Sequence, residues 1–125
     1  MTFREILANV IDGTPGALAG AIMAGDGIPI EEYAVEGVEG ADAELAAVAA
    51  EFERVLSQVR KVSGSLYGET EGAVDELILQ TPGRQLLFRQ IDDEYFLLVA
   101  LEPTGMLGKA RFLARASLDD LREEL

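Results

Sequence analysis

The stretch DAELAAVAAEFERVLSQVRKV, residues 42–62, decides the fold. Its apolar residues Leu45, Val48, Phe52, Val55, Val59 and Val62 are spaced alternately three and four apart. That is an unbroken a/d pattern over nearly three heptads, the mark of a long α-helix with one apolar seam. Asp42 suits the N-cap, and Glu44 suits the positive end of the helix dipole. If the helix continues through Gly64, Leu66 extends the seam. A second stripe of small residues, Ala43, Ala46, Ala47 and Ala50, runs beside it near the N-terminal end. Two stripes make a wider apolar surface than one buried face needs. The Leu45-to-Val62 series is expected to face the protein's own core, and the alanine surface to meet another chain.

Working outward, Phe3, Ile6, Leu7, Val10 and Ile11 have helical spacing, with Thr2 and Glu5 placed as a capping box. Gly13-Thr14-Pro15-Gly16 ends that helix. Two short apolar runs, Ala17 to Ala24 and Ile28 to Val35, flank an Asp-Gly turn and read as a β-hairpin. The alanines and Gly20 of the first run leave room for a helix to lie close, and Pro29 fits the start of an edge strand. Glu31 and Glu32 would discourage unwanted pairing there. Beyond the long helix, Gly68 to Gly72 reads as a loop. Three strands follow, Val74 to Gln80, Gln85 to Ile91 and Tyr95 to Leu101. Pro82-Gly83 suits a type II turn between the first two. The third strand is the most apolar and is expected at the sheet centre, in an antiparallel meander. A last helix runs from about Met106 to Glu123, and a capping-box pair, Ser117 and Asp120, marks a break near Ala116. The fold class is α+β, in one domain over residues 1–125.

Composition narrows the chemistry. The chain has 125 residues, enough for one core, and 49% are hydrophobic, so it is expected to fold. It lacks a signal-peptide pattern and any apolar run of about eighteen residues, which reads as a cytoplasmic protein without membrane insertion. There is no cysteine and no histidine, so thiolate, imidazole and Cys/His zinc chemistry are out of reach. Net charge is −13, of which residues 1–53 hold eleven acids and one base. Such a surface repels nucleic acid and anionic membranes. Gly105-Met106-Leu107-Gly108-Lys109 opens a helix after a strand, but its spacing and the Ala110 that follows depart from a phosphate-binding loop. Glu31, Glu32, Glu36, Glu39, Asp42 and Glu44 lack the alternation of a calcium loop. Four serines, at 57, 63, 65 and 117, have no base in view. No catalytic residue, metal ligand or cofactor is expected. Lys109, Arg111 and Arg115 form a local basic stretch, either a solvated helix face or a contact for an acidic partner.

Several segments in this order resemble the Roadblock/LC7 family. Thr14-Pro15-Gly16-Ala17-Leu18-Ala19-Gly20-Ala21-Ile22-Met23, then Asp26-Gly27-Ile28, resembles its first strand and turn. Tyr95 to Leu101 resembles its central strand. Thr104-Gly105-Met106-Leu107-Gly108-Lys109-Ala110-Arg111 resembles the Leu-Gly-x-x-Arg start of the last helix in the bacterial MglB-like branch. The resemblance implies a profilin-like α-β-β-α-β-β-β-α chain. Its five-stranded antiparallel sheet would carry the long helix on one face and the terminal helices on the other. It also implies a homodimer through the long helices and edge strands, with Ala43, Ala47, Ala50, Val74, Leu77, Ile78 and Leu79 at the interface. MglB-like members regulate a small Ras-like GTPase, MglA, in bacterial polarity and gliding motility, and stimulate its GTP hydrolysis without being enzymes themselves. The GTPase-facing positions correspond to Ala46 and Ala50. Arg54 and Gln58, one and two turns on, stand where the family has small residues. The alternative it leaves open is a dimerisation or scaffold module of a motility or transport complex with no GTPase contact.

Overall fold

The computed structural model describes residues 1–37 and 41–125, and for 41–43 the backbone alone. The expected Asp42 cap and the Ala43 side chain lie outside what is described. Helix α1, Phe3–Asp12, opens on the capping box: the Thr2 hydroxyl accepts from the Glu5 amide and the Glu5 carboxylate accepts from the Thr2 amide. The bond from the Thr2 amide foremost, and one donated by the Thr2 hydroxyl to the same carboxylate, hold the Glu5 carboxyl below its ordinary range. Strands β1, Ala17–Ala24, and β2, Pro29–Ala34, form the hairpin. Gly27 supplies the turn's positive φ of 87°, and the Asp26 carboxylate accepts from the Ile28 amide. Helix α2 spans Ala41–Glu71, with its regular backbone broken at Gly68, where φ is 85°. Strands β3, Glu76–Gln80, β4, Gln85–Gln90, and β5, Tyr95–Leu101, complete one antiparallel sheet in the order β2-β1-β5-β4-β3. Helices α3, Leu107–Ala116, and α4, Leu118–Glu124, close the chain.

Both faces of the sheet are covered. Under α2 lie Ala19, Ala21, Met23, Leu86, Phe88, Phe96, Leu98 and Ala100. Under α1, α3 and α4 lie Ile22, Leu87, Leu97, Val99 and Leu101. Strand β5 is central and buried on both faces, as its composition implies. A Cβ at Gly20 would stand 2.8 Å from the Ile11 Cδ1, so α1 packs against bare strand backbone there. On the other face Ala19 and Ala21 are fully buried beneath α2.

Four local expectations change. The segment expected as a loop from Gly68 is helical as far as Glu71, after the break at Gly68. The turn after β3 is not type II, since Gly83 lies outside the left-handed region. The Thr81 hydroxyl shapes it instead, accepting from the amides of Gly83 (3.2 Å) and Arg84 (3.1 Å). The last helix does break where expected, but Ser117 makes no side-chain cap. Its hydroxyl donates back to the Ala114 carbonyl at 2.7 Å. The core stripe of α2 is Leu45, Ala49, Phe52 and Leu56, with Val48 partly buried, whereas Val55 and Val62 are exposed. A 3.5-residue repeat on a straight 3.6-residue helix drifts by about 20° per heptad, which carries the later valines off the core face.

The start of β1 and the end of β5 are locked together. Gly16, at φ +85°, would place a Cβ 2.4 Å from the Gly105 Cα. Its carbonyl accepts from the Glu102 amide, and the buried Gln85 amide group donates to the carbonyls of Glu102 and Gly105. Gly16→Ala is therefore expected to cost about 2 kcal/mol or more, from left-handed backbone and backbone crowding together. Urea denaturation of the variant measures the loss; a midpoint equal to wild type would contradict this junction.

Candidate interaction surface

In the loop that opens α3 the amides of Gly105, Met106 and Leu107 are engaged. Met106 donates to the Pro15 carbonyl at 2.9 Å, and Lys109 and Ala110 donate to the Met106 carbonyl. It offers no phosphate cradle of the kind its glycines suggest. Among the described residues, no group of three or more acids is arranged to hold a metal ion, and no helix is long and apolar enough to cross a membrane.

What the fold presents instead is an apolar strip along one side of α2. Up to its break at Gly68, α2 is roughly 40 Å long, while the longest strand, of eight residues, spans roughly 27 Å. The helix outruns its sheet, so its C-terminal part has little beneath it. Val55, Val62, Leu66 and Tyr67 are 52%, 59%, 68% and 64% exposed. Val55 shares a hollow of about 260 Å³ with Phe52, Leu77, Ile78 and Leu79. A second hollow, of about 350 Å³, is lined by Val59, Val62, Leu66 and Tyr67 among others. The strip thus runs from the flank of α2 to the edge strand β3, whose outer side has no strand neighbour among the described residues.

Ion pairs fix this edge in place. Arg84, in the β3–β4 turn, grips the Glu44 carboxylate with two nitrogens, at 2.9 and 3.2 Å, and ties α2 to the edge. Arg60 donates to the Gln90 side chain at 2.7 Å and lies over the Phe88 ring. Glu76, the acid of β3, is held by Arg89 at 3.6 Å and more closely by Arg111 from α3.

Solved structures resemble this arrangement over its whole length. MglC from Myxococcus xanthus is 26% identical, with a TM-score of 0.77 and full coverage of both chains. The gliding protein MglB from Thermus thermophilus is 16% identical at TM-score 0.83, covering 96% of this chain and 85% of its own. A Roadblock/LC7 domain from Streptomyces avermitilis is 12% identical at TM-score 0.79, covering 98% and 97%. The chain has the Roadblock/LC7 fold. No protein-family model and no curated protein matches the sequence itself.

Within the Roadblock/LC7 fold the expected site residues fall into two groups. Ala46, Ala47, Ala50, Arg54 and Gln58 are all exposed on the side of α2 turned away from the sheet. Leu77, Ile78 and Leu79 lie in β3, and Val74 just before it. Val74 and Leu77 pack against the α2 layer, while Ile78 alternates to the opposite face. The valine flank, Val55 and Val62 of the heptad series expected to face the core, joins the β3 group instead, with Leu66 and Tyr67 exposed beside it. The drift between heptad and helix, read together with helix length, is the signal that separates it from the core stripe.

That separation has a measurable consequence. Phe52→Glu buries a charge against Phe88, whose ring is 6.0 Å away, and is expected to cost about 3 kcal/mol or more. Val62→Glu is expected to keep the native far-UV circular dichroism spectrum. Loss of that spectrum in Val62→Glu would place the residue in the core after all.

Proposed function

We propose that the chain is a cytoplasmic, non-catalytic, homodimeric regulator or scaffold of a small Ras-like GTPase, acting in bacterial polarity or gliding motility. The observation that carries the reading is the difference between the two sheet edges. Edge β2 is guarded: Pro29 opens it, Glu31 and Glu32 lie along it, and Arg4 donates to the Glu32 carbonyl at 3.1 Å. Edge β3 reads Glu-Leu-Ile-Leu-Gln, and the charge of Glu76 is already satisfied by two arginines. It sits beside the exposed apolar strip of α2. Antiparallel pairing of two β3 strands about a two-fold axis would make one ten-stranded sheet and bring two α2 flanks together. The likeness in fold to a gliding protein, MglB from Thermus thermophilus, over 96% of this chain supports the motility setting.

Such a dimer, built on the valine flank and β3, does not use Ala47 and Ala50 as the family resemblance implies, and the outer face of α2 with Ala46 and Ala50 stays open. Small residues there let a partner's backbone approach closely, which suits a GTPase surface. A regulator of this kind works by binding one nucleotide state of the GTPase better than the other. Arg54 and Gln58 add charge and bulk on that face. They favour the second reading, a dimeric scaffold without GTPase contact.

Sedimentation at micromolar concentration is expected to give twice the 13.4 kDa chain mass, and Val62→Glu with Leu79→Lys to give the monomer. A monomeric wild type would overturn the dimer. Incubation with an MglA-type GTPase is expected to change its GTP hydrolysis or nucleotide exchange, and Ala50→Arg to weaken the complex about tenfold while the dimer mass persists. A dimer with neither binding nor a rate effect leaves the scaffold reading in its place.

A further inference from the structure

The basic stretch of α3 is used neither by the core nor by the β3 edge as a whole. From Pro103 to Leu118 the chain holds Lys109, Arg111 and Arg115 and no acid, in a protein of net charge −13. On this helix Phe112 is 63% exposed. One turn before it is Gly108, where a Cβ would meet nothing within 4 Å, and one turn after it is Ala116. The ring therefore rises between two small residues, in a hollow of about 540 Å³ lined by Gly108, Arg111, Phe112, Arg115 and Ala116. The Lys109 ammonium lies 5.8 Å from the ring centroid. Arg115 makes no ion pair among the described residues. Glu76 takes up Arg111 but is shared with Arg89, so two guanidiniums on one carboxylate leave a positive charge beside the hollow.

We infer that this face of α3 docks an acidic peptide segment of a partner protein, with an apolar side chain against Phe112 and carboxylates on Arg111, Arg115 and Lys109. Exposed aromatic and arginine side chains grouped around a hollow are the composition of a binding hot spot. Charge complementarity selects the occupant. The rest of the surface is strongly acidic, and a nucleic acid duplex or an anionic membrane presents charge far beyond one helix. Acids flanking the patch would oppose both within the Debye length, about 8 Å at physiological salt. A short acidic segment meets only the patch, where arginines offer forked donors to its carboxylates. The site lies on the face of the sheet opposite α2, and it does not depend on the dimer or on a GTPase.

A phage-displayed random peptide library panned on the full chain tests this without a known ligand. Enriched peptides are expected to be acidic around an aromatic or aliphatic residue. Synthesised and followed by fluorescence anisotropy, they are expected to bind less tightly as salt rises. Phe112→Ala and Arg115→Glu are expected to weaken them at least about tenfold with unchanged thermal unfolding, since both side chains are exposed. Enrichment of peptides without acids, or equal binding by both variants, would overturn the proposal. So would binding to phosphatidylserine vesicles or duplex DNA that Phe112→Ala abolishes.

Discussion

Everything in this molecule depends on covering strand β5 from both sides. Phe96, Leu98 and Ala100 project to one face, Leu97, Val99 and Leu101 to the other, and all six are buried. A strand of that composition is stable only at the centre of a sheet with helices on both faces. Residues before and after it supply them. The short helices α1, α3 and α4 share one face, and α2 takes the other alone. The α2 face combines small and large contacts. Ala19, Ala21 and Ala49 let the helix approach, while Phe52, Phe88 and Phe96 fill the space beside them, with Phe88 and Phe96 ring centroids 5.1 Å apart.

Most of this architecture was legible because its signals are local. The capping box at Thr2 and Glu5, the Asp26-Gly27 turn, Pro29 at an edge and the run of apolar residues in β5 each have one physical reading, and the structure follows them. Where two readings compete, sequence gives less. Ser117 could cap forward or bond backward, and it bonds to the Ala114 carbonyl. Pro82-Gly83 suits a type II turn, but the Thr81 hydroxyl satisfies the same amides with Gly83 in ordinary backbone. Neither outcome changes the fold, because neither decides which strands pair.

The interaction surface was less legible than the fold. Heptad spacing marks residues that share a helix side, but it does not say how far the covering sheet extends. Leu45, Phe52 and Val62 belong to one numerical series, yet the first two meet the sheet and the last does not. Two facts are needed together, the drift of a 3.5 repeat on a 3.6 helix and the excess length of α2 over the strands. For the alanines, position on the helix decides rather than composition. Ala49 is core while Ala46, Ala47 and Ala50 are surface, and residue type alone distinguishes none of them.

Glu76 joins the two exposed surfaces. On an edge strand an unpaired carboxylate would face its own symmetry mate and oppose pairing. Here Arg89 comes from the neighbouring strand and Arg111 from α3, so the edge keeps its hydrogen-bonding groups without a bare charge. The side chain of Glu76 is largely buried by this clamp, which makes the pairing stronger than that of a surface ion pair such as Glu51 with Arg54. Arg111 also lines the hollow around Phe112. A carboxylate arriving there competes with Glu76 for the same guanidinium, and Glu76 then relies on Arg89 alone. Arg111 thus serves both the clamp on Glu76 and the lining of the α3 hollow.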